Sequence, residues 1–137
     1  MSTKRPVLEA GLTHTATLQV TADHTVPAFE PNWDGFVDMP PVFATAMMIG
    51  FVEQTCIEAL RPYLDAEQRT VGTHVSISHL APTVIGATVT VTVELSAVEQ
   101  RILHFAVSCK DDKAVIGEGT HQRAIIDYAR FMQRIGV

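Results

Sequence analysis

The chain has 137 residues, 47% of them hydrophobic and 18% charged, with a formal net charge of −5. That length suits one domain, residues 1–137, with a single well-filled core. The negative balance excludes a general nucleic-acid or anionic-membrane surface, but it leaves room for a local basic patch that holds a phosphate-bearing small molecule.

In chain order, residues 1–12 carry no strong pattern. The two cysteines, Cys56 and Cys109, form no CxxC spacing and are expected as reduced thiols of a cytoplasmic protein. The first fifteen residues contain no apolar run of signal-peptide type, so no secretory leader is expected. From Thr13 to Val20 the sequence alternates, with Ala16, Leu18 and Val20 on one face and Thr13, Thr15, Thr17 and Gln19 on the other. This predicts a half-buried strand. A long connection from Thr21 to Met39 follows, holding Pro27, Pro31 and Gly35 with Phe29, Trp33 and Phe36. Long loops in compact domains serve as binding loops or lids. Aromatics that plug the core's edge are the other reading.

The stretch from Pro40 through Leu60 organises the rest. Between Val42 and Val52 its only polar side chain is Thr45. Paired prolines suit a helix entry, since the first turn cannot pair its N–H groups, and Pro62 is the matching stop. A helix apolar on every side needs cover all round. It is too short to cross a bilayer, and Glu53, Gln54, Glu58 and Arg61 close its far end.

Asp65 to Thr70 reads as a polar connection. Gly72 opens a strand, Thr73 to Leu80, whose inward set is expected to be Thr73, Val75, Ile77 and His79. Thr88–Val98 and Ile102–Lys110 alternate clearly and flank a turn at Glu99-Gln100-Arg101. A second turn at Asp111-Asp112-Lys113 leads to a last strand, Ala114 to Ile126. Gly117 and Gly119 in that strand signal a bulge or a close approach by another group. Asp127 can cap a short terminal helix with Tyr128, Phe131, Met132 and Ile135 on one face. Short turns make the later strands antiparallel neighbours. One antiparallel sheet curled over a helix apolar on all sides leaves part of that helix bare, which predicts a homodimer.

Three polar groups point into this apolar interior. Thr45 and Glu53 lie eight residues apart on the helix, within about 80° of one another at ~3.6 residues per turn. His79 is expected on the inward face of the following strand. A buried carboxylate needs a partner, and His79 is the candidate. Taken singly, each has a plain structural reading: Thr45 bonding its own preceding turn, Glu53 at the helix's wet end, His79 as a satisfied core histidine. Arg123 shares the inward parity of the last strand with Gly119 and His121, where it reads either as an anion contact or as a salt bridge at the sheet's end. The remaining histidines show no metal-ligand spacing, and HExxH, paired CxxC, GxSxG, GxGxxG and P-loop motifs are absent. Neither a metal site nor a cofactor is expected.

Pro41-Val42-Phe43-Ala44-Thr45, the glutamate eight positions on in Gly50-Phe51-Val52-Glu53-Gln54-Thr55-Cys56, and Gly72-Thr73 with Ser78-His79-Leu80-Ala81-Pro82-Thr83 together resemble the fluoroacetyl-CoA thioesterase family. Gly117-Glu118-Gly119-Thr120-His121-Gln122-Arg123-Ala124 is similar to that family's last strand, and the likeness runs from about Thr13 to Phe131. The resemblance implies an α+β hotdog fold: a five-stranded antiparallel sheet wrapped around a long central helix, in a homodimer with active sites near the subunit boundary. It implies hydrolysis of a short-chain acyl-CoA thioester, with Thr45, Glu53 and His79 as catalytic triad and Gly72 and Arg123 near the acyl group. Phe36 matches an aromatic of the family's lid. Met39 stands where the fluoroacetyl-specific enzyme has a second phenylalanine, so the substrate-binding pair Phe36 and Met39 predicts weaker selection for the fluorinated acyl group. Two other readings fit the same fold: a non-catalytic acyl-CoA or small-ligand binding protein, and a hydratase or dehydratase, whose expected Asp/His pattern is missing.

Overall fold

The computed structural model describes residues 6–137. Its strands are β1 (Thr13–Gln19), β2 (Gln68–Ile77), β3 (Thr88–Glu99), β4 (Ile102–Lys110) and β5 (Val115–Asp127). Its helices are α1 (Val26–Phe29), α2 (Asp34–Val37), α3 (Thr45–Leu60) and α4 (Tyr128–Ile135). The strands form one antiparallel sheet in the order β1-β3-β4-β5-β2, with α3 packed across its concave face. This is the hotdog architecture.

The core follows directly from the two periodicities. Met48, Val52, Cys56 and Ala59 recur at helical spacing and are buried on one side of α3. They meet Val89, Val91, Val93 and Leu95 of β3, and Leu103, Phe105, Val107 and Cys109 of β4, which are the alternate residues of those strands. Burying each large aliphatic side chain of this set contributes about 1.5–3 kcal/mol. The β3–β4 turn is tight, and Gln100 adopts φ +58° to close it. Cys56 and Cys109 are buried free thiols.

Several expectations need correction. The two prolines do not start the helix. Val42 and Phe43 are drawn into short bridges to Val84 and Thr25, and the N–H groups of Phe43 and Ala44 are taken by Thr83 and His24 carbonyls. The helical ladder can therefore begin only after Ala44, with Met48 donating back to it. β2 starts at Gln68, earlier than the polar composition of that stretch suggests, because it pairs with β5 as far as Asp127. A bulge between Gly72 and His74 leaves Thr73 out of register, so Gly72 takes the inward place opposite Arg123. β2 ends at Ile77, and His79 lies in the irregular segment beyond it. The N–H groups of Ser78 and Leu80 still donate to Glu118 and Ile116 of β5, which holds that segment in line.

Gly117 and Gly119 mark a close approach: a Cβ on either would strike the backbone carbonyl of Ser78 or Ser76. In the long connection, Phe29, Trp33 and Phe36 stack on one another with ring centroids 5.2–6.2 Å apart, and Trp33 stays exposed. Asp127 caps α4 as expected, accepting from the Arg130 N–H. Phe131 and Met132 are half-buried, whereas Tyr128 and Ile135 are exposed.

The opposite side of α3 is bare in the single chain. Thr45, Ala46, Gly50 and Gln54 are exposed, and Ile49, Glu53 and Ile57 only half-buried. Beside them Val75, on the inner face of the edge strand β2, is 43% exposed.

Candidate active site

The first turn of α3 and the segment after β2 bring Thr45 and His79 together. Thr45 Oγ1 lies 2.7 Å from His79 Nδ1, and the edge of His79 meets the ring of Phe43. Ala44 is the helix cap and gives the first turn no side-chain cap, and the Thr45 hydroxyl that follows it bonds to His79. The other ring nitrogen, Nε2, is the one buried side-chain polar atom among the described residues without a hydrogen-bond partner. Buried polar atoms are nearly always paired, and exceptions cluster where a reaction or a ligand uses them. Burial holds the His79 pKa below its ordinary value, so the ring is neutral near pH 7. The pair opens on a cleft of about 270 Å³ whose walls include Val26, Val42, Leu80 and Pro82.

Two turns further along α3, Glu53 faces β5. Its Oε2 accepts from Arg123 Nη1 at 2.7 Å, in an ion pair whose arginine is buried and whose carboxylate is 40% exposed. Arg123 is fixed by more than this bond. Its Nε and Nη2 donate to the Thr70 hydroxyl and carbonyl, each at 2.9 Å. His121 completes the cluster: its Nδ1 lies 2.7 Å from the His74 carbonyl, so Nδ1 carries the proton and Nε2 accepts from Arg123 Nη1 at 3.2 Å. Burial, first, and the Arg123 charge push the His121 pKa down. The 4.0 Å approach of His121 to Glu53 is therefore a contact with a neutral ring rather than a second ion pair. Gly72 lies directly over the carboxylate, where a Cβ would sit 2.7 Å from Glu53 Oε2. These groups bound a cleft of about 420 Å³ lined by Ile49, Glu53, Gly72, Thr73, His74, Val75 and His121.

Glu53 thus finds its partner in Arg123, not in His79. An arginine two inward positions beyond Gly119 outcompetes a histidine that falls outside the strand. Of the residues singled out in the sequence, Thr45 with His79 and Glu53 with Arg123 and Gly72 form two groups in two clefts of one chain. Eight residues of helix separate Thr45 from Glu53 by about 12 Å along the axis, so their near-common azimuth does not bring them into contact. Phe36 is half-buried in the aromatic stack, Met39 is 47% exposed, and neither lines either cleft. His121 and Thr70 escape the sequence reading. Parity with Arg123 was the signal for His121; nothing local marks Thr70.

Cys56 sits beneath the Glu53–Arg123 pair, and burial pushes its thiol up to about 12, so it is no nucleophile. Among the described residues no group of three or more His, Cys, Asp or Glu is placed to hold a metal ion. No helix among them is long and apolar enough to cross a membrane.

A family model described as fluoroacetyl-CoA-specific thioesterase matches residues 20–129. The fluoroacetyl-CoA thioesterase of Streptantibioticus cattleyicolor is 41% identical over 111 residues, 81% of this chain and 80% of that protein. A solved structure of the fluoroacetyl-CoA thioesterase FlK superposes with TM-score 0.92 at 38% identity, covering 95% of this chain and 96% of its own. A thioesterase-superfamily member from Thermus thermophilus, 23% identical, superposes at 0.83 over 96% of this chain and 93% of its own, a likeness of fold alone.

Proposed function

The chain belongs to the fluoroacetyl-CoA-specific thioesterase family and is an acyl-CoA thioester hydrolase, and we propose that it cleaves short-chain acyl-CoA to the free acid and CoA at a site shared between two subunits of a homodimer. The bare stripe of α3 supports the shared site. Its exposed and half-exposed residues run from Thr45 to Gln54 and centre on Ile49 and Gly50. A two-fold axis there crosses two copies of α3 antiparallel, and an isologous contact sets residue i of one copy against residue j of the other. Thr45 then stands level with Glu53 of the partner subunit, which removes the 12 Å separation within one chain. Gly50 suits the crossing, since nothing in its own chain lies within 4 Å of its Cβ position. Val75 and the free edge of β2 are covered by the same contact.

In this site Glu53 brings the attacking oxygen to the thioester carbonyl, its own or that of a water it deprotonates. Arg123 holds the carboxylate in place through the 2.7 Å ion pair. The Thr45 hydroxyl donates to His79 Nδ1, which leaves the proton on Nε2 to hydrogen-bond the departing CoA thiolate, and the proton that ends on the thiol is the one the hydrolytic water loses. Gly72 lets the acyl group come close to Glu53. Phe36 and Met39 close over the acyl pocket as a lid, and the flexible methionine makes that gate loose. The single observation that carries this reading is the buried, unpartnered His79 Nε2 on a ring whose other nitrogen is bonded to the Thr45 hydroxyl.

A merely ligand-binding role would give that nitrogen nothing to do, whereas the paired Glu53 would suit a binder and an enzyme equally. Free buried thiols fit a cytoplasmic setting. The test is free-thiol release from acetyl-, fluoroacetyl- and butyryl-CoA. Turnover of all three, slowed by about two to four orders of magnitude in His79→Ala, is the expected result. Binding without turnover of any of them would return the protein to the non-catalytic reading.

A further inference from the structure

His121 is 2% exposed, touches the Glu53–Arg123 pair, and has no step in the chemistry proposed above. Its place follows from strand alternation: His121 and Arg123 are two apart on β5, so both point to one face of the sheet. Across from them on β2 stand Val75 and Gly72, one on either side of the bulge. Gly72 leaves the room that the two side chains occupy, since a Cβ there would meet Arg123 Nη1 and His121 Cε1 at 3.4 Å.

A guanidinium has five N–H donors and no acceptor, and that of Arg123 is buried. Nε and Nη2 are taken by the Thr70 hydroxyl and carbonyl. Nη1 carries two hydrogens, one for Glu53 Oε2 at 2.7 Å and one for His121 Nε2 at 3.2 Å. The two bonds hold Nη1 from two sides, and with it the direction of its bond to Glu53. The type of acceptor matters here. A carboxylate at position 121 would compete with Glu53 for the same cation, whereas a neutral imidazole satisfies the N–H and leaves the charge to Glu53. The His74 carbonyl sets the tautomer by taking the Nδ1 proton at 2.7 Å, so that Nε2 is the bare nitrogen.

We propose that His121 is a positioning residue of the hydrolysis: by accepting from Nη1 it aims Arg123 at Glu53, and so sets the Glu53 carboxylate for attack on the thioester. The inference rests on the reading of Glu53 as the group that attacks or activates water. A protonated ring would undo the arrangement. It would face Arg123 as a second cation and offer Nε2–H to Glu53 Oε2, 4.0 Å away, in place of Arg123. The charged or titratable groups acting on the ring are Arg123 on its own strand, Glu53 from α3 and His74 from β2, while β4 sets the apolar Phe105 beside it. The Cys56 thiol near the pair stays protonated.

The experiment uses two amides that each imitate one ring nitrogen. His121→Asn keeps an N–H for the His74 carbonyl but places no acceptor at the Nε2 position, whereas His121→Gln places its amide oxygen there. With acetyl-CoA, His121→Asn is expected to lower kcat about 10–100-fold with KM little changed, the scale of a lost charged hydrogen bond and a misplaced reacting group. His121→Gln should recover most of that loss. The wild-type rate should fall below about pH 6.5 as the ring takes a proton, and His121→Gln should flatten this acid limb, leaving the titrations of Glu53 and His79. NMR reads the arrangement without turnover: the wild-type ring should be the Nδ1–H tautomer, and the Arg123 Nε–H should exchange with water slowly, but faster in His121→Asn. Faster exchange in His121→Asn, beside a Glu53→Gln protein that still hydrolyses acetyl-CoA, would uphold the hold on Arg123 while sinking the role of Glu53. An Nε2–H tautomer in the wild type, equal kcat loss in both variants, wild-type kcat in His121→Asn where Glu53→Gln is inactive, or an acid limb unchanged in His121→Gln, overturns the inference.

Discussion

The two sides of α3 are nearly equal in hydrophobicity and opposite in fate. Met48, Val52, Cys56 and Ala59 are sealed by β3 and β4 of their own chain. Thr45, Ile49, Glu53 and Gly50 look outward over the bare edge of the sheet. The first side obtains its stability from the fold. The second carries every polar group of the candidate site that α3 supplies, and it needs a further surface to become dry. A helix without a polar face therefore calls for cover on both sides, and the single chain supplies it on one.

Substitutions on the two sides should separate accordingly. The largest effect is expected from Glu53→Gln, which keeps the shape but loses the carboxylate: thioester hydrolysis should fall below detection with the melting curve little changed. His79→Ala should slow turnover by about two to four orders of magnitude, the range for loss of a general acid or base. A rate near wild type in either variant would return these residues to a structural role.

On the sealed side the outcome inverts. Met48→Ala should cost about 2–5 kcal/mol in denaturant unfolding, because the cavity cannot collapse against β3. The remaining folded protein should keep its kcat. Gly50→Leu probes the bare side without touching the chemistry. Its own chain has room for the side chain, so the monomer should fold, but sedimentation should show the dimer lost and activity with it. A dimeric, active Gly50→Leu protein would move the proposed crossing elsewhere.

Smaller effects sharpen the comparison at the lid and in pH. Met39→Phe should tilt kcat/KM toward fluoroacetyl-CoA over butyryl-CoA by an amount worth about 1–3 kcal/mol, the scale on which apolar pockets discriminate. A wild type that already selects the fluorinated substrate strongly would show that Met39 is not the gate. His79 and His121 have folded-state pKa values held below the ordinary 6.5 by burial. Above about 6.5 both states are neutral and the fold has its full stability; as pH falls through the depressed values the unfolded chain binds protons first and stability drains away. Urea midpoints should be flat from neutral pH down to about 6.5 and decline below it.

The sheet and its core were legible because β1, β3 and β4 alternate cleanly and each turn carries its own punctuation. The start of α3 was not, because Pro40 and Pro41 suit a helix entry and an extended entry alike. Only the tertiary bonds of Phe43 and Ala44 to Thr83 and His24 decide between them. Thr45, Glu53, His79, Gly72 and Arg123 could be named from the sequence, yet their pairing could not. Azimuth round a helix is periodic and readable, whereas the choice of Arg123 over His79 by Glu53 depends on a bulge at Thr73 and on where β2 ends. His121 shares the inward parity of Arg123 but has no motif of its own.

The shared site is tested most directly by mixing lesions. Chains carrying Glu53→Gln and chains carrying His79→Ala, each inactive alone, would be co-expressed with different tags and purified as the heterodimer. A site built from Glu53 of one subunit and Thr45–His79 of the other gives one doubly damaged centre and one intact centre, so about half of wild-type activity should return. If each site lay within one chain, both centres of the heterodimer would keep a lesion. Activity that stays at the level of the separate variants would contradict the shared site.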